Sequence, residues 1–188
     1  MTAANIAPIP LPTQPIPGWT LRELESADIP AILALDRACF GGIWSESGYQ
    51  REIDSPNSTL VVLETAAQAD PVGVACAWAI LDEAHITLLG VRPNWRQRGL
   101  GQLLLATLLQ DAQQRGLARA TLEVRASNQS AIALYEKFGF RVAGDRPNYY
   151  QNPPEAALIL WRGSLDRPQT ATQLGKLYRD AISRHNPV

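Results

Sequence analysis

The sequence predicts an α/β domain built on a mixed, partly parallel sheet of about seven strands. Three observations lead there. Seven β-rich runs recur along the chain, at residues 19–25, 59–65, 72–81, 85–91, 121–124, 140–143 and 156–161. Two apolar helical segments, 99–115 and 128–138, lie between strands in the middle of the chain. Such strand–helix–strand units cross over right-handedly and make parallel neighbours. A length of 188 residues with 46% hydrophobic content is enough for one domain with a good core.

The elements follow in order. Residues 1–18 form a Pro-rich tail, uncharged apart from its terminal amine, with Pro8, Pro10, Pro12, Pro15 and Pro17. It is expected to be extended or disordered with polyproline II character; a ligand for a proline-binding partner is the other reading. After the strand at 19–25, Ser26 is expected to cap a helix through Ile29, Ile32, Leu33 and Leu35 that ends at Gly41-Gly42. Trp44-Ser45 opens a short second helix, again with serine at the cap. The runs 59–65 and 72–81 form a hairpin across a loop at 66–71. After the strand 85–91, the helix 99–115 carries Leu100, Leu103, Leu104, Ala106, Leu108 and Leu109 on a wide apolar face and stops at Gly116. A strand at 121–124, a helix at 128–138 ended by Gly139, and strands at 140–143 and 156–161 complete a domain over 19–162. In the extension 163–188, Leu174, Leu177, Tyr178, Ala181 and Ile182 fall at helical spacing, with Thr170 or Thr172 as the cap. This helix is expected to dock on the domain, with partner binding as the alternative.

Composition removes several function classes. A net charge of -1 and a pI near 6.1 argue against a general nucleic-acid binder. The apolar stretches are short and interrupted, so no membrane span is expected, and the N-terminus lacks the basic region of a signal peptide. Cys39 and Cys76 sit in apolar surroundings without metal-ligand spacing, which reads as two buried thiols of a cytoplasmic protein with no metal. A monomer or weak dimer is expected.

The stretch from Val91 to Gly101 reads as a pyrophosphate-holding loop; the other reading is glycines that only make a tight turn. A strand runs into a turn with Pro93, and Gly99 and Gly101 then open a long helix. Glycines at such a junction let phosphate oxygens reach the main chain, and the helix N-terminus offers free N–H groups and a favourable dipole. Arg96 and Arg98 add positive charge. The stretch is not a dinucleotide fingerprint, since position 104 is Leu104, and no Gly-Lys-Ser/Thr follows as in a P-loop. Strand alternation at 121–125 separates Leu122 and Val124 from Thr121, Glu123 and Arg125. Glu123, at a strand end beside this loop, is placed to act as a general base; the other reading is a surface glutamate paired with Arg119 or Arg125. Asn128, Ile132 and Tyr135 share one helix face, so Asn128 and Tyr135 can both touch a long thin ligand. Alternatively, Tyr135 is a core aromatic and Asn128 an N-cap. His85 and His185 read as isolated, structural or exposed side chains.

Arg96-x-x-Gly99-x-Gly101 resembles the [Gln/Arg]-x-x-Gly-x-[Gly/Ala] loop of the GNAT superfamily of acyl-CoA N-acyltransferases. Leu122-Glu123-Val124-Arg125-Ala126-Ser127-Asn128 and Ala133-Leu134-Tyr135-Glu136-Lys137-Phe138-Gly139-Phe140 closely resemble its RimI-type branch, the ribosomal-protein-alanine N-acetyltransferases. Arg146-Pro147-Asn148-Tyr149-Tyr150 is similar to that branch's Arg-x-Asn-Tyr-Tyr near the acceptor site, and Trp44-Ser45 to its early Trp-Ser. The resemblance covers roughly residues 19–162 and implies a GNAT-like sheet with helices on both faces. It implies acetyl-CoA as cosubstrate and a protein N-terminus, most simply the alanine of a small-subunit ribosomal protein, as acceptor. Main chain at Leu89, Gly90 and Val91 would hold the acetyl carbonyl and pantetheine arm. Arg96, Gln97, Arg98, Gly99, Leu100, Gly101 and Gln102 would hold the pyrophosphate, and Asn128 would contact the pantetheine. Glu123 would accept the amine proton, directly or through a water. Tyr135 would protonate the departing thiolate, and Trp44, Tyr149 and Tyr150 would line the acceptor site. One departure is visible. The branch commonly carries an acidic pair before the last strand, where this chain has Pro153-Pro154-Glu155-Ala156, a weaker negative patch.

The chemistry favours an N-terminal amine. A peptide α-amino group has pKa about 8 and a lysine about 10.4, a gap of roughly 3 kcal/mol in deprotonation cost. Direct attack on a thioester needs a neutral, positioned amine, so a glutamate base suits the α-amine better. A GNAT enzyme acting on a small amine, another N-terminus or a lysine, and a non-catalytic acyl-CoA-binding module, are the competing readings.

Overall fold

The computed structural model describes residues 16–184. The Pro-rich stretch 1–15 and His185 lie outside the described residues. The strands are β1 (Trp19–Glu23), β2 (Ser58–Thr65), β3 (Gln68–Ile80), β4 (Glu83–Val91), β5 (Arg119–Arg125), β6 (Arg141–Gln151) and β7 (Pro154–Arg162). The helices are α1 (Ile29–Phe40), α2 (Glu46–Asp54), α3 (Leu100–Gln114), α4 (Gln129–Lys137) and α5 (Pro168–Ser183). All seven strands join one sheet in the order β1-β2-β3-β4-β5-β7-β6, and β4–β5 is its parallel pair. The expected mixed, partly parallel sheet is therefore present, with the parallel character confined to the crossover through α3.

Each face of the sheet has its own core. On one face Ile29, Ile32 and Leu35 of α1 and Tyr49 of α2 pack on Leu60, Val62, Val74, Cys76 and Leu88. On the other, the leucines of α3 meet Leu63, Ala75, Ile86, Leu122, Val124 and Leu160, with Tyr135 of α4 and Leu174 and Tyr178 of α5. Because strand side chains alternate, this split fixes the face of every β5 residue. Leu122 and Val124 point to the α3 side, and Thr121, Glu123 and Arg125 point to the α1 side.

Local chemistry sets the boundaries. Ser45 caps α2, its Oγ accepting from the Gly48 amide at 3.1 Å. Gly41 ends α1 with φ 85°, a left-handed conformation that costs glycine little. Three expectations need correction. The turn before α1 is closed not by Ser26 but by a reciprocal pair: the Asp28 carboxylate accepts from the Glu25 amide, and a 3-10 turn over Ser26–Asp28 precedes the helix. The hairpin loop is tighter than 66–71, since β3 already begins at Gln68. Neither Thr170 nor Thr172 caps α5: Arg167 is the cap residue, Pro168 fills the first turn, and the Thr170 hydroxyl donates to the Ser164 carbonyl at 2.6 Å.

The helix α5 lies along α3. Leu165, Leu174 and Ala181 are fully buried there, and the Gln102 and Gln113 amides donate to the Leu177 and Leu165 carbonyls at 2.7 and 2.8 Å. Burying a large apolar side chain is worth about 1.5–3 kcal/mol. A chain ending at Gly163 is therefore expected to lose on the order of 5 kcal/mol, comparable with a whole domain's margin. Urea unfolding would show this as a collapsed midpoint or insoluble protein.

Candidate active site

The parallel pair β4–β5 is short. Its register runs from Glu83↔Arg119 to Ile86↔Leu122 and stops. A register shift in the β3–β4 ladder falls at the same level, between Cys76 and Ala77. Beyond it Leu88 to Val91 pair with β3 only, while β5 continues through Glu123 to Arg125 paired with β7. The two strands thus part in mid-sheet. Leu89, Gly90 and Val91 lie on one side of the opening and Glu123 on the other.

At the upper end of β4 the chain turns into α3. Gly99 is the N-cap with φ 83° and carries no side-chain cap. The first intrahelical bond runs from the Leu103 amide to the Gly99 carbonyl at 3.1 Å, so the amides of Leu100, Gly101 and Gln102 have no intrahelical partner. Gln97 also sits in the left-handed region, at φ 61°, which turns the loop back over the helix end. A Cβ at Gly101 would lie 3.4 Å from Leu134 and 3.8 Å from Leu89, so the absent side chain keeps open the gap between α4 and β4. Both arginines also have partners within the loop. Arg96 Nε donates to the Val91 carbonyl at 3.0 Å, and Arg98 stacks over Trp95 at 4.8 Å. The Gln102 side chain faces away, accepting from Lys137 at 2.6 Å and donating to Leu177, so only its main chain is turned to the loop.

On the α1 side of the opening, Glu123 is held by two partners. Its Oε2 lies 3.1 Å from His85 Nε2, and its Oε1 lies 3.3 Å from Arg146 Nη2. Its side chain is only 11% exposed. Both pairings correct the sequence reading. His85 is not isolated, and Glu123 pairs with neither Arg119 nor Arg125. Arg119 is engaged by Asp82 and Glu83. Arg125 pairs with Glu155 and stacks over Tyr150 at 4.1 Å.

Tyr135 comes from the opposite face. It is buried among the α3-side core and packs edge-on against Phe140, ring centroids 5.8 Å apart. Burial, with a smaller contribution from Tyr150, pushes its phenol well above the ordinary tyrosine range, so it stays protonated at neutral pH. Burial, more than its charged neighbours, raises the Tyr150 phenol as well. Asn128 caps α4, its Oδ1 accepting from the Ala131 amide at 3.2 Å; that is the capping reading, and the exposed carboxamide NH2 stays unused by it.

The β6–β7 hairpin overhangs this face. Its register shifts between Arg146 and Tyr150, which loops out Pro147, Asn148 and Tyr149. Arg146 is thereby aimed at Glu123, and the half-exposed Tyr149 meets Tyr150 edge-on at 5.1 Å. Across the face, Trp44 packs on Tyr49 at 5.1 Å in the α1–α2 corner. That corner turns on Asp36, fully buried, which accepts from the Ile43 and Trp44 amides at 3.0 Å each and from the Tyr49 hydroxyl at 3.2 Å. Asp36→Ala removes three hydrogen bonds, one of them from the buried Tyr49 hydroxyl, and is expected to cost about 3 kcal/mol. Urea unfolding measures the loss. Sequence reasoning does not single out Asp36 or His85 as site-building residues, and it places Arg146 only in the acceptor-side motif, not against Glu123. Alternation within β4 does mark one face for His85, but which β5 residue it meets depends on a register that local pattern does not encode.

The chain matches the acetyltransferase (GNAT) family over residues 29–140. It is 34% identical over 131 residues to the ribosomal protein bS18-alanine N-acetyltransferase of Escherichia coli K12, which spans 70% of this chain and 86% of that protein. Identity to the enzyme of the same name from Haemophilus influenzae is 40% over 133 residues, spanning 71% of this chain and 88% of that one. The crystal structure of the ribosomal-protein-S18-alanine N-acetyltransferase from Escherichia coli superposes with a TM-score of 0.70 at 33% identity, covering 78% of this chain and 94% of that chain. The chain belongs to the acetyltransferase (GNAT) family and is an N-acetyltransferase.

Proposed function

We propose that the protein transfers the acetyl group of acetyl-CoA to the N-terminal amine of an alanine-starting protein, the counterpart of bS18, in the cytoplasm. The observation that carries this reading is the parting of β4 and β5 directly below the amide-rich start of α3. A ligand with its diphosphate on the amides of Gln97 to Gln102 can thread that opening past the main chain of Leu89 to Val91, with Asn128 beside the pantetheine. Its thioester then lies between Glu123 on one face and Tyr135 on the other. Glu123 takes the amine proton, and the buried, protonated Tyr135 gives its proton to the departing thiolate. Trp44, Tyr149 and Tyr150 bound the acceptor entrance.

The activity for which the relatives are named supports an alanine α-amine as acceptor. The rim supports a less basic acceptor peptide than an acidic pair would, because Glu155, the carboxylate at the start of β7, is engaged by Arg125 and the Ser127 amide at 3.2 and 2.6 Å. Incubation with acetyl-CoA and peptides starting with Ala, Ser or Met, or carrying an internal Lys, tests the assignment. The alanine peptide is expected to gain one acetyl at its α-amine by mass spectrometry. Transfer only to lysine peptides or polyamines would overturn it, and tight CoA binding without any transfer would favour a binding module.

A further inference from the structure

His85 stands beside the carboxylate assigned as base. Its Nε2 lies 3.1 Å from Glu123 Oε2, while the other oxygen of Glu123 is taken by Arg146 at 3.3 Å. The carboxylate is thus oriented, one oxygen to each partner. The strands enforce the contact: Thr121 is the register partner of His85, and Glu123, two residues on, shares its face. On the outer side the imidazole lies near the Trp78 ring, centroids 6.1 Å apart and tilted by 30°. The Trp78 indole is itself tied by a 2.6 Å hydrogen bond to Glu52 of α2. Exposure differs in a useful direction. The Glu123 side chain is 11% exposed and that of His85 26%, so the imidazole reaches water where the carboxylate hardly does.

We propose that His85 is a positioning residue that carries the acceptor's proton from Glu123 to solvent, a role that rests on the reading of Glu123 as the base. The protons balance. A peptide ammonium and acetyl-CoA give an amide, a thiol and one free proton. Glu123 takes that proton from the ammonium and passes it to Nε2 of His85 in its Nδ1–H form; the imidazolium releases its Nδ1 proton to water, and exchange with water returns the remaining proton from Nε2 to Nδ1 before the next turnover. As the C–N bond forms and the C–S bond breaks, Tyr135 protonates the thiolate, and the proton shed by the acylated nitrogen restores the phenol. One proton per turnover leaves through His85. Imidazole suits the task because it is the side chain whose ordinary charge change falls between about pH 5 and 8.

The charged groups around His85 are few. Glu123 on β5 and Arg146 on β6 stand on the inner side, and Glu52 of α2 stands behind Trp78. At the outer end of the same face Glu83 and Arg119 pair with each other at 3.4 Å. Protonating His85 strengthens its hold on Glu123 and blocks the relay, so kcat should fall as pH drops.

The test is the pH profile of kcat for wild type, His85→Gln and His85→Ala, with Glu123→Gln alongside, on the peptide of the panel that is acetylated fastest. Thermal unfolding confirms that each variant folds. Wild type is expected to show an acidic limb, because an imidazole that already carries both protons accepts none from Glu123. His85→Gln should lose that limb and turn over about tenfold more slowly at neutral pH, below the 10²-fold that a full general base contributes. KM for acetyl-CoA should not change, and added imidazole should restore His85→Ala but not His85→Gln. An unchanged limb and rate in His85→Gln, with Glu123→Gln inactive, overturns the relay and leaves the base assignment standing. Slower His85 variants with the limb intact and no imidazole rescue reduce His85 to a structural role, which also overturns it. Full turnover by Glu123→Gln, or no acetylated peptide at all, removes the base reading and the relay together.

Discussion

Glu123→Gln should lower kcat for an alanine-starting peptide by about 10²- to 10⁴-fold, the range that a positioned general base contributes. The substitution keeps the size of the side chain and its reach to His85 and Arg146, so the fold and the strand opening should survive. What it removes is a proton acceptor with little water around it. The acceptor ammonium must then lose its proton to solvent, and the pH optimum should move upward, toward the α-amine's own pKa of about 8. Affinity for acetyl-CoA should hardly change, because the amides of the 97–102 loop lie at the other end of the cleft. Steady-state thiol release across pH, with calorimetric titration of acetyl-CoA, separates the two effects. An unchanged pH–rate profile would remove Glu123 as the base.

Gly101→Trp should abolish cofactor binding, raising the Kd for acetyl-CoA by about 100-fold or more, some 2.7 kcal/mol. The side chain at this position leaves the backbone toward Leu134 of α4 and Leu89 of β4, where a Cβ makes ordinary contacts at 3.4 and 3.8 Å. A single methyl is therefore accommodated, and Gly101→Ala should fold and retain part of the affinity. An indole continues along the same vector into the gap proposed for the pantetheine arm. Thermal unfolding should show both variants folded, and retained affinity in Gly101→Trp would mean that the loop is misassigned.

The readable parts of the site were those encoded by local rules. Gly99 before an apolar run, Gly41 and Gly116 after one, and Ser45 three residues before Gly48 are signals whose physics acts within one turn of chain. The alternation Leu122, Glu123, Val124 likewise placed the carboxylate opposite the leucine core. The unreadable parts depended on pairing between distant segments. His85 meets Glu123 only because β4 and β5 pair at Ile86↔Leu122 and then separate. β6 was foreseen as residues 140–143 yet runs from Arg141 to Gln151. It is an edge strand exposed along nearly its whole length, so no buried face imposes an apolar alternation. Arg96 and Arg98 are readable as positive charges beside the loop, but not their partners within it: one braces the end of β4 and the other covers an indole. A charge in a motif does not reveal whether it faces the ligand or holds the loop in shape.

The last residue of α1 bears on how the enzyme could be re-engineered. The Phe40 ring rests against the bare main chain of Gly90, and any Cβ placed there would collide with three of its ring carbons. Widening the proposed donor channel for bulkier acyl chains therefore cannot start from the strand. It has to start from the ring: Phe40→Leu frees volume immediately behind the peptide plane while leaving Glu123, Tyr135 and the glycine loop untouched.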